Sequence, residues 1–262
     1  MLEVTGQRRV SPTVVRVTLG GDGLERFTPL GFDQWFRLFL PREGQETLRL
    51  PTRTSSLWYA QYLATPKAKR PWVRNYTVRA FADGRLDVDF VIHTDADGRC
   101  GPATAFALNA KPGDQVGLLD QGTSYHPRSG NPRTEPDWTL LVADETGLPA
   151  VAGICGSLPA DARGLAIVEI PVAADAQEFA VPAGVTVRWV ARDEAGAEHA
   201  VPGGLALSAL RDSTLPDGAG YAYLVGESAL ATGARRFLIE ERGFTKHQVD
   251  FVGYWRHGHG YV

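Results

Sequence analysis

Residues 74 to 79 read Arg-Asn-Tyr-Thr-Val-Arg, a string able to offer a cation, a phenol and a hydroxyl to one flavin. In an extended strand successive side chains alternate faces, so Arg74, Tyr76 and Val78 share one side while Asn75, Thr77 and Arg79 share the other. A guanidinium clamps a phosphate through paired hydrogen bonds, and a tyrosine two positions on lies against a ring and bonds a ribityl or phosphate oxygen. Thr77 is the natural donor to a ring heteroatom, which it reaches where the ring edge overlaps the strand backbone. The same string also reads as an ordinary exposed strand rich in Thr, Tyr and Arg. Its surroundings have to decide.

Those surroundings have two grammars. As far as about Gln121 the chain shows short alternating runs at Thr13–Leu19, Gln34–Leu40, Arg74–Phe81, Arg85–His93 and Gln115–Leu119, punctuated by turns such as Asp83-Gly84 and Pro112-Gly113-Asp114. This predicts an antiparallel β-barrel or sandwich. One helix is expected at Pro102–Asn109 and a turn of helix around Trp58–Leu63, within a long loop over residues 41 to 73. Pro127 to Pro136 reads as a linker. Beyond it, apolar strand-like runs at Trp138–Ala143, Leu165–Pro171, Val185–Ala191, Tyr221–Val225 and His247–Val252 alternate with helical segments at Gly147–Ser157, Gly204–Arg211 and Ser228–Arg242. That order predicts an α/β domain with a buried parallel sheet. Two domains follow, 1–127 and 137–262. A barrel and a nucleotide-type α/β domain together suit electron transfer.

Bulk properties narrow the partners. The 262 residues carry a net charge of −3, so no global basic field invites nucleic acid or an anionic membrane. No apolar run approaches the ~20 residues needed to span a bilayer, and the N-terminus lacks a signal-peptide core. A cytoplasmic monomer is the expectation. Cys100 and Cys155 form no C-x-x-C pair, which leaves a cysteine-held cluster or zinc site unsupported. His257 and His259 flank a glycine and read most simply as a solvated tail.

The chain resembles the siderophore-interacting protein family, whose members are flavin-dependent ferric-siderophore reductases of ferredoxin-reductase-like, two-domain build. The resemblance rests on Arg74-Asn-Tyr-Thr-Val-Arg79, Leu86-Asp-Val-Asp-Phe-Val-Ile-His93, Gly101-Pro-Ala-Thr104, Ala143-Asp-Glu-Thr146, Gly226-Glu227 and Gly253-Tyr-Trp-Arg256, which recur in order over nearly the whole chain. It implies FAD on the barrel, with Arg74, Asn75, Tyr76 and Thr77 as ligands and Val91 and His93 beside the ring.

Gly101, Pro102, Ala103 and Thr104 open the short helix. Its orphan amides and dipole suit a pyrophosphate, although Gly-Pro alone is merely a turn and helix start. Phe106 stands where the family commonly has Trp. Asp144 and Thr146 resemble residues near either the FAD adenosine or the incoming nucleotide. Gly147, where the family usually has alanine, permits a closer backbone approach. Gly226 and Glu227 occupy the analogous later strand end, with helix capping as Glu227's plain alternative.

NADPH or NADH is the expected donor, with Arg192 placed to meet a 2′-phosphate. Arg235 and Arg236 are further candidates, and a ferredoxin is a possible alternative donor. The substrate implied is a ferric siderophore, contacted by Arg37, where the family commonly has lysine, and by Arg256. The activity implied is reduction of Fe(III) to Fe(II).

Overall fold

A computed structural model describes residues 1–42, 44–45, 47–53, 57–94, 98–128 and 135–258 of the chain. The residues fall into two units. The first comprises Met1–Leu30 and Gln34–Gly122, and the second Gly31–Asp33 and Thr123–Val262. The division falls earlier than the expected linker, much of which lies outside the described residues. It also assigns three residues from the middle of the expected barrel to the second unit.

The first unit is a seven-stranded, all-antiparallel sheet. Its strands are β1 (Leu2–Ser11), β2 (Val14–Gly20), β3 (Trp35–Leu40), β4 (Trp72–Thr77), β5 (Ala80–Ala82), β6 (Arg85–Val91) and β7 (Gln115–Gly122), in the order β4-β3-β7-β1-β2-β6-β5. The strand expected first is in fact the second. β1 buries Leu2 and Val4 and then turns polar from Gln7 to Arg9, so it lacks the alternation that marks its neighbours.

The run expected at Arg74–Phe81 is two strands. β4 pairs with β3 and β5 pairs with β6, so a single stretch of chain belongs to both ends of the sheet order. Between them Val78 donates its N–H to the Gln34 carbonyl and Arg79 donates to that of Asp87. The sheet is thereby curled shut by chain continuity, and Tyr76 of β4 packs on Phe90 of β6 with ring centroids 4.3 Å apart. Leu19, Phe36, Leu38, Leu86, Val88 and Val116 fill the interior. Helices α1 (Leu57–Ala64) and α2 (Pro102–Asn109) accompany the sheet.

The second unit is a five-stranded parallel sheet of β8 (Trp138–Ala143), β9 (Arg163–Ile170), β10 (Gly184–Ala191), β11 (Gly220–Glu227) and β12 (Val249–Trp255), in the order β10-β9-β8-β11-β12. Helix α3 (Leu148–Ser157) packs with one apolar cluster, and α4 (Gly204–Arg211) and α5 (Ser228–Glu241) with another. Strands covered on both faces become continuous apolar runs, which is why they were legible as parallel. The strand order reverses direction between β8 and β11. In an open α/β sheet the crevice beyond the carboxyl ends of two such strands is the place for a ligand.

Gly31–Asp33 is anchored in this unit. Asp33 is buried and accepts from the N–H groups of Ser124 and Tyr125 and from the Tyr223 hydroxyl. Phe32 stacks on Tyr125 at 5.5 Å. The Phe32 carbonyl fills the space where a Cβ of Gly153 would stand.

Candidate functional site

Of the expected flavin residues on β4, Arg74 and Tyr76 share one face of the strand, and Asn75 and Thr77 the other. Phe36 pairs directly with Tyr76, and Leu38 with Arg74, so Arg74 and Tyr76 lie on the same side of the β3–β4 pair as the interior residues. Tyr76 meets Phe90, and Phe90 meets Phe106 of α2 at 6.0 Å. The Arg74 guanidinium sits 5.7 Å from the Trp72 ring and donates to the Val73 carbonyl. Arg79, the other arginine of the string, is a brace instead. It lies 3.5 Å from the Asp89 carboxylate, which also takes both guanidinium bonds of Arg16.

Val91 ends β6, and exposed His93 follows it. An isolated antiparallel bridge pairs Thr94, next to His93, with Cys100, just before the start of α2. There Gly101 is the N-cap, Pro102 opens the helix, and no side chain caps the first turn. A Cβ built on Gly101 would meet nothing within 4 Å. Helix amides with no side-chain cap and an open approach at the glycine fit the pyrophosphate of FAD. Thr104 and Thr77 are both buried.

Asn75 belongs to the opposite face. It pairs with Arg37, whose Nη1 reaches its Oδ1 at 3.5 Å and whose Nε donates to Gln121 at 3.2 Å. The Arg37 guanidinium lies 5.4 Å from the Trp35 ring and 4.8 Å from that of Trp58. The first unit thus carries two chemically distinct faces on one pair of strands.

In the second unit Asp144 and Glu227 stand at the ends of β8 and β11, beside the reversal of strand order. Both are buried. Asp144 accepts from the Thr146 N–H and hydroxyl, the Glu227 N–H and Trp255 Nε1. Burial, then the charge of Glu145, push its carboxyl up to about 6, against those bonds. A Cβ on Gly226, whose φ is 119°, would strike the Asp144 carboxylate. Glu227 caps α5 by accepting from the Ala229 N–H and also takes the N–H of His257. Its capping reading is therefore realised.

One expectation is corrected. Arg192 is buried, and its donors go to both Glu145 oxygens and to Glu169. Although burial works against its charge, these carboxylates hold it protonated above the ordinary arginine range. It is a bolt, not a cation facing a 2′-phosphate. Glu169 also accepts from the N–H groups of Gly203 and Ala206, at the start of α4. Gly147 makes its close approach to the Val225 and Ala143 side chains, each within 2.8 Å of a built Cβ, so it serves helix–sheet packing.

Arg235 and Arg236 of α5 line an open groove with Phe251 of β12 and with Lys246, which lies in the short turn before that strand, and Arg256 is exposed after β12. His259 lies outside the described residues. Reading the sequence missed Glu145, Glu169 and Asp33, because buried carboxylates carry no local pattern. Among the described residues no helix is long and apolar enough to cross a membrane.

Comparison with known proteins agrees with this architecture. Residues 3–125 match the siderophore-interacting FAD-binding domain, and residues 136–258 match the siderophore-interacting protein family. The crystal structure of a siderophore utilization protein from T. fusca superimposes with a TM-score of 0.81 at 32% identity, covering 100% of this chain and 94% of that one. Ferric vibriobactin reductase ViuB of Vibrio cholerae is 28% identical over 265 residues, 98% of this chain and 89% of its own. The NADPH-dependent ferric-chelate reductase of Escherichia coli is 28% identical over 260 residues, 97% and 91% of the two chains. The chain belongs to the siderophore-interacting protein family, with its FAD-binding module in the first unit.

Proposed function

We propose that the protein is an NAD(P)H-dependent ferric-siderophore reductase that releases iron as Fe(II). The observation that carries this reading is that Arg74 and Tyr76 share one face of β4, that Tyr76 packs through Phe90 to Phe106 of α2, and that the start of this helix has no side-chain cap, all within the FAD-binding module. Bound FAD supplies the chemistry, taking two electrons from a reduced nicotinamide and passing them singly to Fe(III). The protein's part is to hold and orient.

When FAD is bound, Arg74 would neutralise phosphate charge, and the amides of Ala103 and Thr104 at the start of α2 would donate to phosphate oxygens. Tyr76, Thr77 and Val91 would hold the ring system, and His93 would supply a proton donor or acceptor to it. Asp144 and Thr146 shape the crevice for the nucleotide in the second unit, with Gly226 and Glu227 forming its opposite lip. No side chain acts as acid or base on iron, since reduction itself weakens the hard oxygen ligands' hold. Arg37 and Arg256 attract an anionic chelate. Similarity to a ferric vibriobactin reductase and to an NADPH-dependent ferric-chelate reductase favours this substrate class and donor.

An anaerobic titration tests the proposal. FAD-loaded protein is expected to bleach on addition of NADPH or NADH and to recover colour on addition of a ferric chelate, with two Fe(II) trapped per nicotinamide oxidised. Arg74→Ala is expected to weaken FAD binding by about 10- to 100-fold, the worth of a charge-assisted bond. Flavin that stays reduced with every ferric chelate would remove the reductase reading.

A further inference from the structure

Arg37 and helix α1 hold more recognition chemistry than a general anion pocket requires. All eight residues of α1 fall outside the buried class, with Trp58 and Tyr62 half-buried and Tyr59 53% exposed. Core packing therefore does not explain three aromatic rings in two turns. Polar ties fix the helix instead. Arg70 donates to the carbonyls of Leu63 and Thr65, Tyr62 donates its hydroxyl to the Pro71 carbonyl, and Gln61 accepts from the N–H of Thr52. The rings form one connected cluster, with Trp58 in contact with Phe39, Tyr59 and Tyr62 at 5.4 to 6.0 Å.

Charge points the same way. The Arg37 guanidinium lies against Trp35 and Trp58, its hydrogen bonds go to the neutral amides of Gln121 and Asn75, and no carboxylate among the described residues is within ion-pairing distance. From Thr47 to Ala82 the sequence has seven lysines and arginines and no aspartate or glutamate, in a chain whose net charge is −3. A flat anionic ring gains on both counts. Its face stacks on indole or phenol, and its charge meets the guanidinium. A ferric tris-catecholate is such a ligand, because three dianionic rings around Fe(III) leave a trianion edged with aromatic faces. A tris-hydroxamate is uncharged, and citrate has no ring.

We propose that Trp58, Tyr59 and Tyr62 of α1 form, with Arg37, an aryl-binding shelf that selects ferric catecholates over hydroxamate and carboxylate chelates. The inference rests on the reductase reading for its ligand class, but its test does not need electron transfer. Gallium(III) complexes of catecholate, acetohydroxamate and citrate are redox-inert, and calorimetry with the FAD-loaded full chain measures their binding directly. The catecholate complex is expected to bind most tightly. Trp58→Ala should lower its affinity relative to the citrate complex by about tenfold, Trp58→Phe should restore most of that ratio, and Tyr59→Ser should lower it about threefold.

Equal affinity for all three complexes, or a ratio unmoved by both Trp58→Ala and Tyr59→Ser, would overturn the shelf. So would self-association that Trp58→Ala abolishes, which would assign this face to a second copy of the chain. Failure of iron reduction alongside intact gallium selectivity would instead sink only the reductase reading.

Discussion

In the first unit Arg74 sits half-exposed on β4, a terminal strand of the sheet, with its guanidinium 5.7 Å from the Trp72 ring. In the second, Arg192 follows a strand of the same apolar character, yet it is buried and spent on Glu145 and Glu169. Asp144 and Glu227 are equally committed to internal donors. The two arginines, both expected from the sequence to meet phosphates, thus differ in what the fold leaves them: Arg74 keeps a half-exposed guanidinium, while Arg192 is enclosed by carboxylates of its own unit.

The largest test of that contrast is Arg192→Met. Removing the guanidinium leaves Glu145 and Glu169 buried without compensation, an expected loss of about 3–5 kcal/mol in denaturant unfolding. FAD affinity and the ratio of NADPH to NADH turnover in the folded fraction should stay unchanged. A stable variant with a lowered NADPH preference would return Arg192 to the ligand side and erase the distinction between the units.

Asp144 gives the next test, because its carboxyl is raised from 3.8 to about 6. The folded state then binds a proton that the unfolded state has already lost. This contribution to stability is full below the unfolded value and disappears as pH rises through the folded one, a decline of about 3 kcal/mol between roughly pH 4 and 6. Asp144→Asn should abolish that slope. At neutral pH it should also cost about 1–3 kcal/mol, since its amide turns a donor toward N–H groups that need an acceptor. Unfolding curves across this pH range separate the two effects.

These tests also mark how far the sequence was legible. Helices Pro102–Asn109 and Gly204–Arg211 and strand Trp138–Ala143 are found at their expected bounds, because Pro at a helix start and an unbroken apolar run are local signals. β1 was not legible, since its outer half is polar, and neither was the break at Val78–Arg79, where one extended run changes pairing partner. At the site, the alternation of Arg74 and Tyr76 against Asn75 and Thr77 was readable from strand period alone. That Asn75 shares its face with Arg37 and Trp58 was not, because it depends on cross-strand register. Arg192 was misread for the same reason. Its partners lie 47 and 23 residues away, and only the folded sheet brings them together.

The smallest effect is the sharpest on the first unit. Gly101 has a φ of −68° that any residue adopts, and a built Cβ there meets nothing within 4 Å. Gly101→Ala should therefore leave the unfolding midpoint nearly unchanged, with any shift within about 0.5 kcal/mol. If the backbone at the start of α2 must come against a pyrophosphate, the added methyl occupies that approach, and FAD affinity should fall by about 5- to 10-fold, roughly 1 kcal/mol. Flavin fluorescence quenching measures it. A glycine that matters to the ligand and not to the fold is the inverse of Gly147, where a Cβ would collide with Val225 and Ala143 and alanine should lower stability without touching FAD. Should Gly101→Ala bind FAD as the parent does, the phosphates do not approach that glycine, and the seat of the cofactor in the first unit would have to be drawn from Arg74 and Tyr76 alone.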